Sequence, residues 1–133
     1  FSIDGTFARH QYDFDTVAAR GETFVSGRDV DSAPRWLGTA EFEYAPNPQF
    51  AASLQWTAVG RYYLDAENAH TYPGHVILNL GARASLTATL SVSARVNNVT
   101  DRRYADRADY AFGNYRYFPG RGRELFVVLQ YDQ

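Results

Sequence analysis

The chain has 133 residues, a formal net charge of −2, no Cys, and an aromatic content of ten Tyr, nine Phe and two Trp. Its length fits one domain with a modest core. Without Cys there is no disulfide framework, thiolate metal site or cysteine nucleophile; all thirteen cationic side chains are Arg, so no Lys can form a Schiff base; and the near-neutral charge sets up no field to gather nucleic acid.

No run of apolar residues is long enough for a transmembrane helix. The opening FSIDGTF lacks the charged head, apolar middle and cleavage site of a signal peptide. It reads as the inside of a strand, which leads us to expect a piece of a larger fold.

Residues 1–12 alternate, with Phe1, Ile3 and Phe7 opposed to Ser2, Asp4, Thr6 and His10. Residues 13–34 are rich in Asp, Gly, Arg and Ser without periodicity, and predict a long loop. A second strand is predicted over 35–45, with Trp36, Ala40, Phe42 and Tyr44 facing one way and Thr39, Glu41 and Glu43 the other. Pro46-Asn47-Pro48 should stop it, because proline has no N–H for a ladder.

The third strand, 50–63, sets Phe50, Ala52, Leu54, Trp56, Ala58 and Tyr62 against Ser53, Gln55, Thr57, Arg61 and Tyr63. A polar loop over 64–74 carries Asp65, Glu67, Asn68, His70 and Tyr72. The fourth strand, 75–84, opposes Val76, Leu78, Leu80 and Ala82 to Asn79, Gly81 and Arg83. A few residues then lead to the fifth strand, 90–98, where Leu90, Val92, Ala94 and Val96 alternate with Ser91, Ser93, Arg95 and Asn97. Residues 99–120 form a Tyr- and Arg-rich loop, well beyond ordinary hairpin length. The sixth strand, 124–131, presents Leu125, Val127, Leu129 and Tyr131.

Each strand thus has one apolar and one polar face, connections alternate between long and short, and aromatics gather at strand ends (Trp36, Tyr44, Tyr62, Tyr63, Tyr72, Tyr104, Tyr131). Transmembrane β-barrels share these three properties. A soluble β-sandwich also alternates, but its strands are usually shorter and its loops need not alternate in length. Six strands cannot close a membrane barrel, which needs about eight. An open edge would leave backbone groups unpaired in lipid. The membrane reading therefore requires the chain to be one sector of a larger barrel.

Two motifs in the last third carry a family resemblance. Val96-Asn97-Asn98-Val99-Thr100-Asp101-Arg102-Arg103-Tyr104 ends one strand, and Tyr117-Phe118-Pro119-Gly120-Arg121-Gly122-Arg123 precedes the last. Together they resemble the C-terminal end of TonB-dependent outer-membrane receptors. Ala33-Pro34-Arg35 opening a strand, and Tyr62-Tyr63-Leu64-Asp65 heading a loop, agree with it. The resemblance covers nearly everything from Ala33 and, more loosely, residues 1–32.

The resemblance implies an all-β fold: antiparallel amphipathic strands forming the last six of a roughly 22-stranded transmembrane β-barrel, a plugged transporter class, with the plug domain absent from this stretch. It implies an outer-membrane location in a Gram-negative bacterium, uptake of a scarce bulky nutrient such as a ferric siderophore, and TonB energy delivered through the plug. The family usually ends in an aromatic; here Tyr131 is the nearest to Gln133.

Ligand-contact candidates in the loops are Tyr63, His70, Tyr72, Arg107, Tyr110, Tyr115 and Arg116, because Arg forks bind carboxylates and catecholates while rings stack. The plainer alternative pairs Arg102, Arg103 and Arg107 with Asp101, Asp106 and Asp109 to hold the loop together. Lipopolysaccharide phosphates are a third partner for exposed arginines. Glu41, Glu43, Arg83 and Arg95 are expected to line the lumen as charge pairs or plug contacts. No metal, cofactor or nucleic acid is expected: His10, His70 and His75 lack ligand spacing, Asp13, Asp15, Asp29 and Asp31 suggest a cation site but lack the Gly and terminal Glu positions of an EF-hand loop, and Gly120-Arg121-Gly122 is no phosphate cradle. No nucleophile–base combination supports an enzyme. The competing class is a soluble β-rich module gripping carbohydrate or protein through its Tyr/Arg loops.

Overall fold

A computed structural model of the chain describes residues 2–13, 16–18 and 21–132. The facing expected of Phe1 and Ile3, and the places of Asp15 and Gln133, lie outside what is described.

The described residues form twelve strands in chain order: β1 (Ser2–Phe7), β2 (Thr16–Ala18), β3 (Gly21–Thr23), β4 (Trp36–Asn47), β5 (Phe50–Val59), β6 (Tyr62–Tyr63), β7 (Thr71–Tyr72), β8 (His75–Ser85), β9 (Leu90–Asn97), β10 (Ala105–Ala111), β11 (Asn114–Pro119) and β12 (Glu124–Tyr131). Six of them make one sheet in the order β1-β4-β5-β8-β9-β12, every neighbour antiparallel. These are the six strands expected from the alternation, side by side in chain order. The other six pair locally as β2-β3, β6-β7 and β10-β11.

Register decides the faces, because antiparallel partners project to the same side. One row runs Phe42–Leu54–Leu80–Val96–Leu125, the next Ala40–Trp56–Leu78, and another Tyr44–Ala52–Ala82–Ala94–Val127. Between them lie Glu41–Gln55–Asn79 and Glu43–Ser53–Gly81–Arg95–Phe126. Every apolar row therefore sits on one face and every charge of the strands β4 to β9 on the other. The apolar face is uncovered: Phe42, Leu125 and Leu129 are 52%, 66% and 70% exposed.

All short connections lie at one end of the sheet (residues 48–49 and 86–89) and all long ones at the other (8–35, 60–74 and 98–123). The short-loop end departs from expectation. Pro46 does not stop β4, which continues to Asn47; the register shifts between Tyr44 and Asn47, and Asn47 pairs with Phe50. The bulge takes Pro46 out of the ladder, where its missing N–H goes unfelt. Pro48 and Gln49 then make a two-residue turn, with Gln49 N donating to Asn47 Oδ1 at 3.0 Å.

At the long-loop end the third strand stops early, at Val59 rather than Tyr63. Gly60 packs so closely on Trp36 that a Cβ there would meet the indole at 2.5 Å. The chain leaves the sheet at this point, and Tyr62 and Tyr63 enter the separate β6-β7 hairpin. Gly74 returns it to β8 with φ 84°, a conformation that favours glycine, where a Cβ would lie 2.2 Å from Val59 O.

Candidate ligand-facing site

The three long loops pack into one layer, and the side-chain core of the molecule lies there rather than in the sheet. Tyr62, Leu64, Tyr72, Ala105 and Ala108 are buried together, with Val59 and Tyr110 against them. The tyrosine hydroxyls close the backbone of the last loop. Ala108 N donates to Tyr62 Oη at 3.0 Å, and Ala105 N donates to Tyr72 Oη at 3.1 Å. Tyr110 N donates to Leu64 O at 2.8 Å. Burial pushes the Tyr62 phenol above its ordinary range.

Within the long loop predicted over 99–120, residues 105–119 form the hairpin β10-β11. Phe112 and Gly113 both have positive φ (54° and 77°), the signature of a type I′ turn whose twist matches flanking strands. The Phe-Gly-Asn flanked by Tyr110 and Tyr115 was the available signal. The hairpin has two faces. On one, His70 stacks on Tyr110 with centroids 3.6 Å apart, Tyr115 meets both rings edge-on, and Tyr117 stacks parallel to Tyr115 at 6.2 Å. On the other, Arg116 Nε donates to Asp109 Oδ1 at 2.6 Å and Arg107 Nη2 reaches Asp109 Oδ2 at 3.5 Å. Arg107 also lies over the Phe118 ring at 5.5 Å, and Arg116 over Phe112 at 5.9 Å.

The structure thus brings His70, Tyr110 and Tyr115 together on one face and Arg107 with Arg116 on the other. Asp109, itself buried, holds both arginines while leaving them largely exposed. The plainer pairing expectation holds for Arg107 with Asp109. Among the described residues Arg102 and Arg103 make no ion pair, and Asp101 instead accepts from Arg123 N at 3.0 Å. Tyr72 is buried, with its hydroxyl committed to Ala105 and to His75 Nδ1 at 3.0 Å, so it supports the layer from within. Tyr62, expected with Tyr72 among the strand-end aromatics, is buried in the same core. Tyr63 is half-buried, and its carbonyl accepts from Ser32 N at 2.8 Å.

Two buried carboxylates that sequence reasoning did not select fasten the loops. Asp29 accepts from Arg9 Nε at 3.1 Å and from Arg35, while Asn68 bridges its backbone in both directions at 2.8 Å. Asp65 accepts from Ala69 N and His70 N at 3.0 Å and contacts His70 Nδ1 at 2.7 Å. Burial alone would raise both acids. The hydrogen bonds from Arg35 and Arg9, and from His70, outweigh it and hold each carboxyl below its ordinary value.

Below the loops, the polar face of the sheet holds a hollow of about 340 Å³ bordered by Glu43, Ser53, Arg83, Arg95 and Phe126. Glu41 and Glu43 share this face with Arg83 and Arg95, but among the described residues they form no ion pair with them. Arg95 Nε donates instead to Asn97 Oδ1 at 2.9 Å. Among the described residues no group of three His, Asp or Glu side chains is gathered around a metal-sized space.

A family model described as TonB dependent receptor-like, beta-barrel, matches residues 1–99. The chain belongs to that family. A comparison with curated proteins finds no match in sequence. Solved structures share the fold. The ferric yersiniabactin uptake receptor FyuA from Yersinia pestis superposes with a TM-score of 0.72 at 18% identity, over 98% of this chain and 20% of its own. The siderophore receptor PiuA from Acinetobacter baumannii gives 0.68 at 19% identity, over 86% and 16%. The ferric-catecholate import receptor Fiu from E. coli K12, in its closed form, gives 0.61 at 16%, over 78% and 15%. The chain spans at most about a fifth of these receptors' length. Within the TonB-dependent receptor fold, the alternating apolar and charged rows are the two sides of a barrel wall, and the loop layer crowns one end of it.

Proposed function

We propose that the chain is a C-terminal sector of an outer-membrane active transporter that imports a scarce bulky nutrient, a ferric siderophore, in a Gram-negative bacterium. In this reading β1 and β12, each hydrogen-bonded on one side only among the described residues, continue into the rest of a roughly 22-stranded barrel. A plug domain fills the lumen and receives energy from TonB. Glu41, Glu43, Arg83 and Arg95 line that lumen. Tyr63, His70, Arg107, Tyr110, Tyr115 and Arg116 stand in the external loops where an anionic, aromatic iron chelate arrives, with Tyr72 beneath them.

The observation that carries the membrane reading is the unbroken apolar face. From Gly5–Gly38 across to Leu129–Val92, no polar side chain interrupts it in any described register row. A water-soluble monomer rarely leaves so large a patch open. The soluble binding module gives way for that reason and because of the family. The ligand class is supported by the hairpin: exposed guanidinium groups braced by Asp109 on one face, and a stack of Tyr and His rings on the other.

Leu80 tests the facing. In the complete receptor Leu80→Arg should block insertion, since Arg on the lipid face costs about 2–4 kcal/mol at midplane. Asn79→Arg, one residue away on the polar face, should be tolerated. Outer-membrane fractionation and resistance to unfolding in detergent read the outcome. Normal insertion of Leu80→Arg would overturn the assignment.

A further inference from the structure

Where the loop layer meets the apolar face, two depressions share one side chain. The first, about 400 Å³, lies over Val76 and Leu78 with Thr100 and Arg102 on its border. Val76 and Leu78 belong to the apolar face, in register with Ala58 and Trp56. The second, about 320 Å³, is walled by Tyr72, Pro73, Tyr117 and Pro119 and bordered by both Arg102 and Arg103. Arg102 therefore stands at the step between an apolar wall and an aromatic cleft.

Its position is fixed by the fold. Asn98, 2% exposed, accepts from Arg102 N at 2.9 Å and donates to Arg102 O at 2.9 Å. Both arginines are exposed, and among the described residues neither has a carboxylate partner. The nearby acids Asp106 and Glu124 border a different cavity, which opens on the polar side with Thr57, Asn79 and Arg95. Asp101, next in the chain, accepts from Arg123 N instead; two adjacent cations without an ion pair beside an apolar wall suit a ligand that is anionic at one end and oily at the other.

We propose that Arg102 and Arg103 hold the phosphorylated headgroup of an outer-leaflet lipid whose acyl chains lie over Val76 and Leu78. The site rests on the membrane reading above, because only lipid reaches that face. It is separate from the hairpin of Arg107 and Arg116. A water-borne chelate approaching through the polar side would not cover Val76 or Leu78, so the apolar half of the site favours an amphiphile over a free anion.

The test uses the complete receptor, purified from outer membranes and placed in phosphatidylcholine nanodiscs. Bis-phosphorylated lipid A and lipid A stripped of phosphate are titrated and retention is read by native mass spectrometry. The wild type should prefer the phosphorylated lipid by roughly tenfold or more, the scale of hydrogen bonds to charged groups. The double variant R102Q/R103Q should lose the preference, and R102K/R103K should keep most of it, which separates lost charge from lost fold. An unchanged preference in R102Q/R103Q overturns the site, as does displacement of the lipid by millimolar inorganic phosphate alone. Fractionation of the wild type separates the two readings. Absence from the outer membrane overturns both, whereas normal insertion with equal retention of the two lipids overturns this site only.

Discussion

In the six-stranded sheet Leu54 and Leu80 are 40% and 42% exposed, whereas in the loop layer Leu64 is 1% exposed and Ala108 fully buried. The sheet is held mainly by its backbone ladder; its buried apolar side chains, Ala51, Ala58 and Ile77, are few and lie outside the buried cluster of the loops. The loops, which ordinarily carry little packing, hold the buried cluster, the buried carboxylates and the stacked rings. The difference reflects the medium each part is built for. A barrel wall leaves its outer side chains to lipid and its inner ones to water or a plug. Loops projecting into water must build their own interior to keep a shape.

If that contrast is right, the joint between the two parts should be the costliest place to cut. Asn98 is that joint. Its backbone N donates to Asn79 Oδ1 at 2.9 Å on the sheet, and its amide holds Arg102 and Arg121 of the loop. It also adopts a positive φ of 48°, which Asn tolerates better than most residues. Asn98→Ala should destabilise residues 98–123 by about 2–4 kcal/mol, from three part-buried hydrogen bonds of about 0.5–1.5 kcal/mol each plus the backbone cost of Ala at positive φ. Hydrogen exchange on the receptor should show faster exchange in β10 and β11 and little change in β5 and β8. Equal loosening of the sheet would erase the distinction.

A smaller effect tests the loop core alone. Tyr62→Phe keeps the ring and removes only the hydroxyl that Ala108 N donates to. The orphaned N–H costs about 1–3 kcal/mol. Limited proteolysis should cut β10-β11 sooner while the barrel remains folded. Unchanged cleavage would mean that the tyrosine hydroxyls do not hold the hairpin.

The same contrast explains what could be read from residues alone. The sheet was legible because its two environments impose period two directly: Leu90 to Asn97 alternate strictly and β8 alternates from Leu78 to Ala84, although β12 also puts Phe126 and Val128 on the polar face. The motifs around Asn98 and Pro119 added the family. The hairpin β10 was not legible, because its buried positions, Ala105, Ala108 and Asp109, follow no period. They are set by Tyr62 and Tyr72, far away in the chain. Asp29 read as one of four acids short of a cation-loop pattern; its place depends on Arg9, Arg35 and Asn68, which meet only after two of the long connections have folded together. Tyr72 was chosen as a polar-loop aromatic for contact with ligand, and the fold uses it as core.

Acid should separate the two parts more gently. Asp29 and Asp65 both have folded-state pKa values held below the ordinary 3.8. A depressed carboxylate stabilises the folded state above its unfolded pKa, and that contribution is lost as pH falls through the folded value. The loop layer should therefore be fully fastened at neutral pH and start to loosen only below about pH 4. Arg9 and Arg35 are partly exposed, so solvent screens the Asp29 pairs, which contribute on the order of 1 kcal/mol or less. Exchange rates corrected for their intrinsic pH dependence should rise in residues 24–35 and 64–72 while β5 and β8 stay protected. Asp29→Asn should show the looser state already at neutral pH, with a weaker further response to acid. Acid loosening that begins in the sheet would reverse the order of stability drawn between wall and loops.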